Sequence, residues 1–409
     1  MQKRILAVVL IFICTSIAWF ILGGATTART HTQDMKLRSE VGQLWGTEQK
    51  QNAPHVWYRT YEEKRVKTIR DDETVEETRT ITKDFPIDIE SSDISVDIAL
   101  QHRKKGLLWY ATYTISYHAL YRIQNRTENN LEYFFTYEFP TENGVYDNFL
   151  FAVAGVRKPE TKPVAGAITE SFTIAAGEGK SVEIAYVSQG MDEWWYVFGA
   201  GVSHIRNFRL SMDTDFSDID FPETSMAPTS KQKTDKGWQL TWEYDDLISG
   251  IQLGMVMPQR VNPGPFVSRV TFFAPVALFL FLFLMFIITT LKQVRIHPMN
   301  YFFICAAFFS FHLLMAYLSD HVDIHVALII SSAVSIFLIV TYMRLVTGMR
   351  FALVETGISQ FVYLVFFSFT FFLEGYTGLV ITVLCIITLF IVMQMTGRID
   401  WGKQFAKEK

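Results

Sequence analysis

VSRVTFFAPVALFLFLFLMFIITTL, residues 267–291, carries one charged side chain, Arg269, and that one lies at its start. A bilayer's hydrocarbon core takes about 20 apolar residues per helix, so this run is read as a membrane span. Four more such runs follow it: Tyr301–Leu318, Val326–Tyr342, Phe351–Leu373 and Leu379–Met395. Phe351–Gln360, at the start of the Phe351–Leu373 run, is amphipathic. Their separators are short and polar or contain glycine. Far upstream, Ile5–Leu22 is a sixth apolar run, preceded by Lys3 and Arg4. Six spans are therefore expected.

Charge divides the 409 residues unevenly. The 144 residues after Pro265 hold only 9 Lys/Arg and 6 Asp/Glu, whereas residues 24–265 hold 26 Lys/Arg and 35 Asp/Glu. The tail is too apolar for a purely soluble protein, and the middle is too charged for one that is all membrane. A middle segment at −9 also excludes a nucleic-acid binder, which needs a basic surface. The overall charge of −4 averages this acidic middle with basic flanks.

Lys and Arg orient the spans, because they concentrate in cytoplasmic connections. They stand at Lys3 and Arg4, at Lys292 and Arg295, at Arg344 and Arg350, and at Arg398, Lys403, Lys407 and Lys409. Ser319–His325 and Glu374–Gly378, the alternate connections, have none. All four basic ends fall on one side for six spans. The expectation is cytoplasmic N- and C-termini and an extracytoplasmic middle domain. Gly23-Gly24-Ala25 also fits a signal-peptide cleavage site. The run before it is longer than a usual signal core, which favours an uncleaved anchor. A lipoprotein reading of Cys14 fails, since Ile13 precedes it where a small residue is needed. Cys14, Cys305 and Cys385 all lie in expected spans, so the middle domain must be held by core packing without disulfides. About 240 residues suffice for that.

The middle domain alternates with period 2. In TYTISYHALYRI, residues 112–123, Tyr113, Ile115, Tyr117, Ala119, Tyr121 and Ile123 occupy one face. Trp238, Leu240, Trp242 and Tyr244 repeat the pattern, as do Val182, Ile184 and Tyr186, and Phe208, Leu210 and Met212. Strict alternation marks strands with one buried face, and turn residues at Gln124-Asn125, Pro140–Gly144, Ala176–Gly179 and Pro258–Pro265 separate them. Many strands without helical patterns predict an all-β, sandwich-like domain, with two stacked sandwiches as a further option. Thr26–Gly46 is expected as a short amphipathic helix leaving the membrane, Asp71–Lys83 as a protruding hairpin, and Glu223–Lys236 as a mobile loop. Asn262-Pro263-Gly264-Pro265 is read as a stiff connector into the second span. The expected domains are an N-terminal helix 1–23, an extracytoplasmic β-rich domain 24–265, a five-helix bundle 266–397 and a cytoplasmic tail 398–409.

Chemical motifs are sparse. Gly179-Lys180-Ser181 lacks the first glycine of a phosphate-binding loop, since position 174 is Ile174, so it reads as a turn between strands. Ser319–His325 offers His321, His325, Asp320 and Asp323, which are metal-ligand types, but solvated loop residues are the commoner reading, and no metal or cofactor site is assigned. Trp194-Trp195-Tyr196 is read as a half-buried core strand ahead of a sugar- or lipid-binding cluster. Asn125-Arg126-Thr127 fits a glycosylation acceptor. His31, His55, His102, His118 and His204 are not spaced like a catalytic or metal motif, and no nucleophile–His–acid set stands out. An enzyme is therefore not expected. Inside the spans, ionisable and polar groups are costly and often functional, which singles out His312, Glu355 and Gln394. His312 can equally stay neutral and bond a neighbouring helix, and Glu355 is expected to pair with Arg350 or Arg344. Arg269 can reach the interface by snorkelling.

Several segments together resemble one family, the bacterial inner membrane protein CreD family. Val41-Gly42-Gln43-Leu44-Trp45-Gly46-Thr47-Glu48-Gln49, with Pro54 beyond, resembles its V…WG…Q…P stretch. His102-Arg103-Lys104-Lys105-Gly106-Leu107 resembles its basic-Gly segment before a strand, and Gly237-Trp238 with Thr241-Trp242 its late aromatic strand. In the tail, His297-Pro298, Tyr317-Leu318-Ser319-Asp320-His321 and Arg398-Ile399-Asp400-Trp401 are similar to the family's span ends and terminal signature. The likeness runs over nearly the whole chain, while the middle of the β domain and the Pro-Gly-Pro entry depart from it. The resemblance implies a Gram-negative inner membrane protein connected with envelope integrity and envelope stress, without motif-defined catalytic residues. The leading expectation is a non-enzymatic envelope protein whose β domain meets a periplasmic protein, glycan or lipid partner while its helices sit in the bilayer. The alternative is a transporter or lipid-handling bundle with a periplasmic cap, in which His312, Glu355 and Gln394 converge on one cavity. An odd count of five tail spans does not split into inverted halves. A sensor would have to signal through a separate partner, because the cytoplasmic parts are short.

Overall fold

The structure, a computed structural model, describes residues 2–70, 73–373 and 375–397. Its helices are α1 (Gln2–Trp45), α2 (Pro263–Leu291), α3 (Pro298–Leu318), α4 (Ile324–Thr347), α5 (Met349–Phe372) and α6 (Thr377–Thr396). All six are long and apolar enough to cross a membrane. The fold is thus a six-helix membrane protein with a large sheet-rich domain between the first helix and the rest. Two compact units result, residues 1–36, 106–108 and 261–409, and residues 37–105 and 109–260.

In the helical unit, sequence chemistry sets the helix ends. Pro263 and Pro298 open α2 and α3 at positions that need no N–H donor. Asp323 caps α4 by accepting from the His325 N–H at 2.8 Å. Gly348, at φ 90°, ends α4 and lets α5 turn back. The core contains Trp19, Leu278, Phe281, Met285, Tyr301, Phe308, Phe311 and Leu364. Outward faces stay apolar for lipid, as at Phe283, Phe303, Phe337 and Phe390. α6 buries only the stripe Leu384, Thr388 and Val392. α5 is irregular: it is π-helical over Ala352–Gly357 and again over Phe361–Phe366, with one short α turn, Ile358–Gln360, between.

α1 corrects one expectation. Thr26–Gly46 is no separate helix, because α1 runs unbroken to Trp45. Gly23 does not stop it. A Cβ there would come within 3.1 Å of the Phe272 ring, and its carbonyl accepts from Ser268 and Thr27, so this glycine lets α2 pack closely.

Fifteen strands make the other unit. They are β1 (Gln49–Asn52), β2 (His55–Arg70), β3 (Glu73–Ile87), β4 (Ser91–Lys105), β5 (Leu108–Gln124), β6 (Leu131–Glu138), β7 (Tyr146–Val153), β8 (Val156–Arg157), β9 (Ala167–Ile174), β10 (Gly179–Met191), β11 (Glu193–Val197), β12 (Ser203–Thr214), β13 (Ser230–Lys233), β14 (Trp238–Ser249) and β15 (Leu253–Val256). Three sheets result, ordered β1-β11-β15, β13-β14-β12-β4-β5-β10-β7-β8 and β3-β2-β6-β9. One apolar core serves all three. The alternating faces are buried as the sequence predicts: Tyr113, Ile115, Tyr117, Ala119, Tyr121 and Ile123 are at most 1% exposed. Two pairings are parallel and join distant segments, β1 with β11 and β12 with β4. Asp71–Lys83 is not a hairpin by itself: residues 73–83 belong to the single strand β3, which pairs with β2 along its whole length in a longer hairpin, and 71–72 lie outside the described residues. Glu223–Lys236 is no featureless loop, since β13 lies within it and pairs with β14. The expected tail 398–409 lies outside the described residues.

Candidate functional site

Three polar groupings carry the chemistry. The first seals the β domain. β1 reads Gln49-Lys50-Gln51-Asn52, and its period-2 face puts both glutamines inside at 0% exposure. Gln51 Oε1 accepts from Tyr137 (2.6 Å) and Tyr186 (2.9 Å), while its Nε2 donates to the Asn52 and Glu138 carbonyls. Tyr117 and Tyr121 share a hydroxyl bond of 2.7 Å, and Tyr121 reaches Tyr196 at 3.4 Å. Gln51 and Tyr196 belong to the three-stranded sheet, Tyr137 to the four-stranded one and Tyr186 to the eight-stranded one. One amide therefore ties all three sheets. Burial pushes the phenols of Tyr113, Tyr117, Tyr121, Tyr137, Tyr186 and Tyr196 well above their ordinary value.

The second grouping is open. A cleft of about 310 Å³ is lined by His55, Asp88, Ser92, Ser203, His204 and Arg206 over a floor that includes Tyr196 and Phe198. The joint between β1 and β2 supplies His55, the β3–β4 connection supplies Asp88, and the start of β12 supplies Ser203, His204 and Arg206. His204 faces a carboxylate on each ring nitrogen, with Nε2 2.6 Å from Asp246 Oδ1 and Nδ1 3.4 Å from Asp88 Oδ2. Arg206 stands 4.0 Å from Asp88. The His55 ring stacks on Trp57, which stacks on Phe134. Charged groups, hydrogen-bonding groups and an aromatic platform meet at one surface that can take a polar partner. The sequence reading missed this cleft because Asp88, His204 and Asp246 lie on three segments that only the folded sheet brings together.

The third grouping lies among the spans. The sequence singled out His312, Glu355 and Gln394, and no hydrogen bond or ion pair joins these three among the described residues. His312 is buried on α3 against Trp19, Phe308 and Phe311, with Nδ1 3.4 Å from the Phe308 carbonyl. Glu355 pairs with Lys292, not with Arg350 or Arg344. The end of α2 lies across from α5, whereas the two arginines precede Glu355 in its own neighbourhood of sequence. Gln394 is exposed on α6. The polar groups that do converge are others. Gln360 on α5 donates from Nε2 to Ser335 Oγ on α4 at 2.8 Å, and Ser335 donates to the Ala307 carbonyl on α3 at 2.6 Å. Ser331 on α4 and Thr356 on α5 lie one turn from this bond on opposite sides of it, because the helices run antiparallel, and all four residues are fully buried. Ser331 and Ser335 at i, i+4 on one span, and Thr356 and Gln360 at i, i+4 on the next, were the available signal.

Other readings resolve locally. Asn125 is fully buried and its amide donates to three carbonyls, so it does not present a glycosylation acceptor. Trp194 and Tyr196 are core residues. Asp320 pairs with Arg29 at 2.9 Å, and His325 stacks on Phe372.

Residues 252–402 match the model of the family described as inner membrane protein CreD. Through this region, under half of its length, the chain is similar to the CreD family. The CreD region starts at β15 and takes in α2 to α6, so the Ser335–Gln360 grouping lies inside it and the β-domain cleft lies outside. No curated protein matches the chain. Among solved structures, a Legionella pneumophila subsp. pneumophila protein described as nutrient-binding is 10% identical, over 56% of this chain and 80% of its own, with a TM-score of 0.32. An M1 zinc metallopeptidase from Deinococcus radiodurans is 10% identical, over 41% of this chain and 42% of its own, with a TM-score of 0.22. Scores of that size do not establish a shared fold. The chain thus has several helices able to span a membrane, within a region similar to the inner membrane protein CreD.

Proposed function

We propose that this CreD-type protein contributes to envelope integrity by binding a polar envelope partner, a protein segment or a glycan, in its β-domain cleft. The observation that carries the reading is the open cleft around His204, in the same domain as a Gln51 cluster that is closed by its own hydrogen bonds. The distribution of Lys and Arg supports cytoplasmic termini and a periplasmic β domain. A photo-crosslinking residue at Val202, on the cleft rim and 73% exposed, is expected to trap a discrete partner in cells. The adduct should fade when H204A and R206A are added. The same adducts from a crosslinker at Val156, on edge strand β8, would sink the reading.

A second reading, transport or lipid handling by the bundle, draws support from the Ser331, Ser335, Thr356 and Gln360 grouping inside the spans.

A further inference from the structure

The interface of α4 and α5 leaves polar atoms without a protein partner where lipid cannot supply one. Ser331 and Ser335 stand one turn apart on α4, and Thr356 and Gln360 stand four residues apart on α5; all are 0% exposed. The Gln360–Ser335 bond pins the two helices in register. Each pair therefore extends about 6 Å along its helix from that bond. Ser335 Oγ donates to Ala307 and accepts from Gln360. Among the described residues, Gln360 Oε1, Ser331 Oγ and Thr356 Oγ1 have no protein partner, and neither does Glu355 Oε2, on the residue before Thr356.

Helix chemistry does not force this. Ser332, Ser359 and Thr388 are buried hydroxyls nearby, and each donates to the carbonyl four residues back at 2.6–2.7 Å. Ser331 and Thr356 make no such bond. Thr356 also lies in a π-helical segment and Gln360 just before another, and π turns recur where helices serve a site. Unpaired backbone or side-chain groups at membrane depth persist only where they are buried in protein or meet water.

We propose that the α4–α5 seam binds internal water, held by Ser331, Gln360 and Thr356 and ending at the free oxygen of Glu355. Because α4 and α5 run antiparallel, Ser331 and Thr356 lie on opposite sides of the Gln360–Ser335 bond, so separate waters serve them, each donating to Gln360 Oε1 and bonding one hydroxyl, which gives each the two polar partners that a buried water needs. The guest is neutral, because the three holding groups carry no charge and Lys292 already balances Glu355. The inference stands whether or not the bundle transports anything.

Water-edited solid-state NMR on the full chain in lipid bilayers tests it. Magnetisation from water should reach the Thr356 and Ser331 side chains and the Gln360 amide at least severalfold faster than the methyls of Leu278, which is equally buried in the apolar core. Gln360→Leu should slow transfer to Thr356 and Ser331 to the Leu278 rate, with other resonances unchanged. If that variant fails to fold, Thr356→Val, which keeps the side-chain shape, should slow transfer to Gln360. Wild-type build-up at these residues no faster than at Leu278 overturns the proposal. So do shifts that require sodium and vanish in choline, because they mean a bound cation.

Discussion

A single amide, Gln51, does for the β domain what a disulfide does in many exported domains. It accepts two phenolic hydroxyls from different sheets and donates to two carbonyls. Gln51→Leu leaves both phenols buried without an acceptor, and each such loss costs about 1–3 kcal/mol. The expected destabilisation is about 3 kcal/mol, read from urea unfolding of the detergent-solubilised chain by tryptophan fluorescence. Tyr137→Phe keeps the Tyr186 bond and should cost only about 1 kcal/mol. A smaller loss from Gln51→Leu than from Tyr137→Phe would contradict this role. The phenols add a pH dependence. In the unfolded chain they ionise near 10.0, and burial raises them in the fold. Their contribution to stability is then fully present below about pH 10 and is lost as pH rises toward the folded values. Phenolate absorbance at 295 nm should show exposed tyrosines titrating first. A second, cooperative phase should follow at higher pH together with loss of β-sheet circular dichroism. One phase near pH 10 with the fold intact would contradict the burial. The tyrosine faces were legible in the sequence, because period-2 alternation of large apolar residues has one physical meaning. Gln49 and Gln51 were not, because a polar residue on an alternating strand reads as outward until a partner inside the fold is known.

Among the elements, α1 shows where composition misleads. Its side chains turn polar near Thr26, yet backbone hydrogen bonding continues to Trp45, and helix continuity depends on the backbone. Gly46 ends it. Gly46 adopts φ +94°, and a Cβ there would lie 2.2 Å from the Gln189 carbonyl oxygen. Gly46→Ala combines a disfavoured left-handed backbone with a clash against a main-chain atom in β10. The expected cost is at least about 2 kcal/mol, visible as a lowered melting temperature. Gly24→Ala, with nothing within 4 Å of the added methyl, should leave melting unchanged or slightly raised. An equal effect of the two would show that the Gly46 turn relaxes freely. The irregular α5 was half legible. Its amphipathic start at Phe351–Gln360 stood out, but a π turn has no compositional mark. The polar residues on that span acquired meaning only opposite Ser331 and Ser335.

At the scale of the molecule, hydropathy located all six helices, and alternation located the domain between the first and second. Loop charge then made an orientation that can be checked. In a variant without Cys14, Cys305 and Cys385, a cysteine at Val202 should react with a membrane-impermeant maleimide in intact spheroplasts. A cysteine at Met349, exposed beside Arg350, should react only after the membrane is opened. The reverse pattern would invert the topology. The cleft and the seam were illegible for one shared reason. Each joins different elements, Asp88 with His204 and Asp246, and Ser335 with Gln360, so even the i, i+4 spacing of the seam residues has no meaning until the helices that carry them are paired.

The parallel pairing of β1 with β11 sets a schedule for biogenesis. β1 is made early, but the strand it must pair with begins at Glu193 and the strand beyond that at Leu253. At 5–20 residues per second, on the order of ten seconds of synthesis separate β1 from β11. Through that interval β1, with its glutamines unpaired, and the tyrosine face of β5 wait unfinished. Non-local pairing of this kind folds slowly and exposes apolar strands to wrong partners. The last strand to arrive, β15, stands only seven residues before α2. The domain can close only just before the second helix is made, so a chain stopped before Leu253 is also a chain whose sheets cannot be completed.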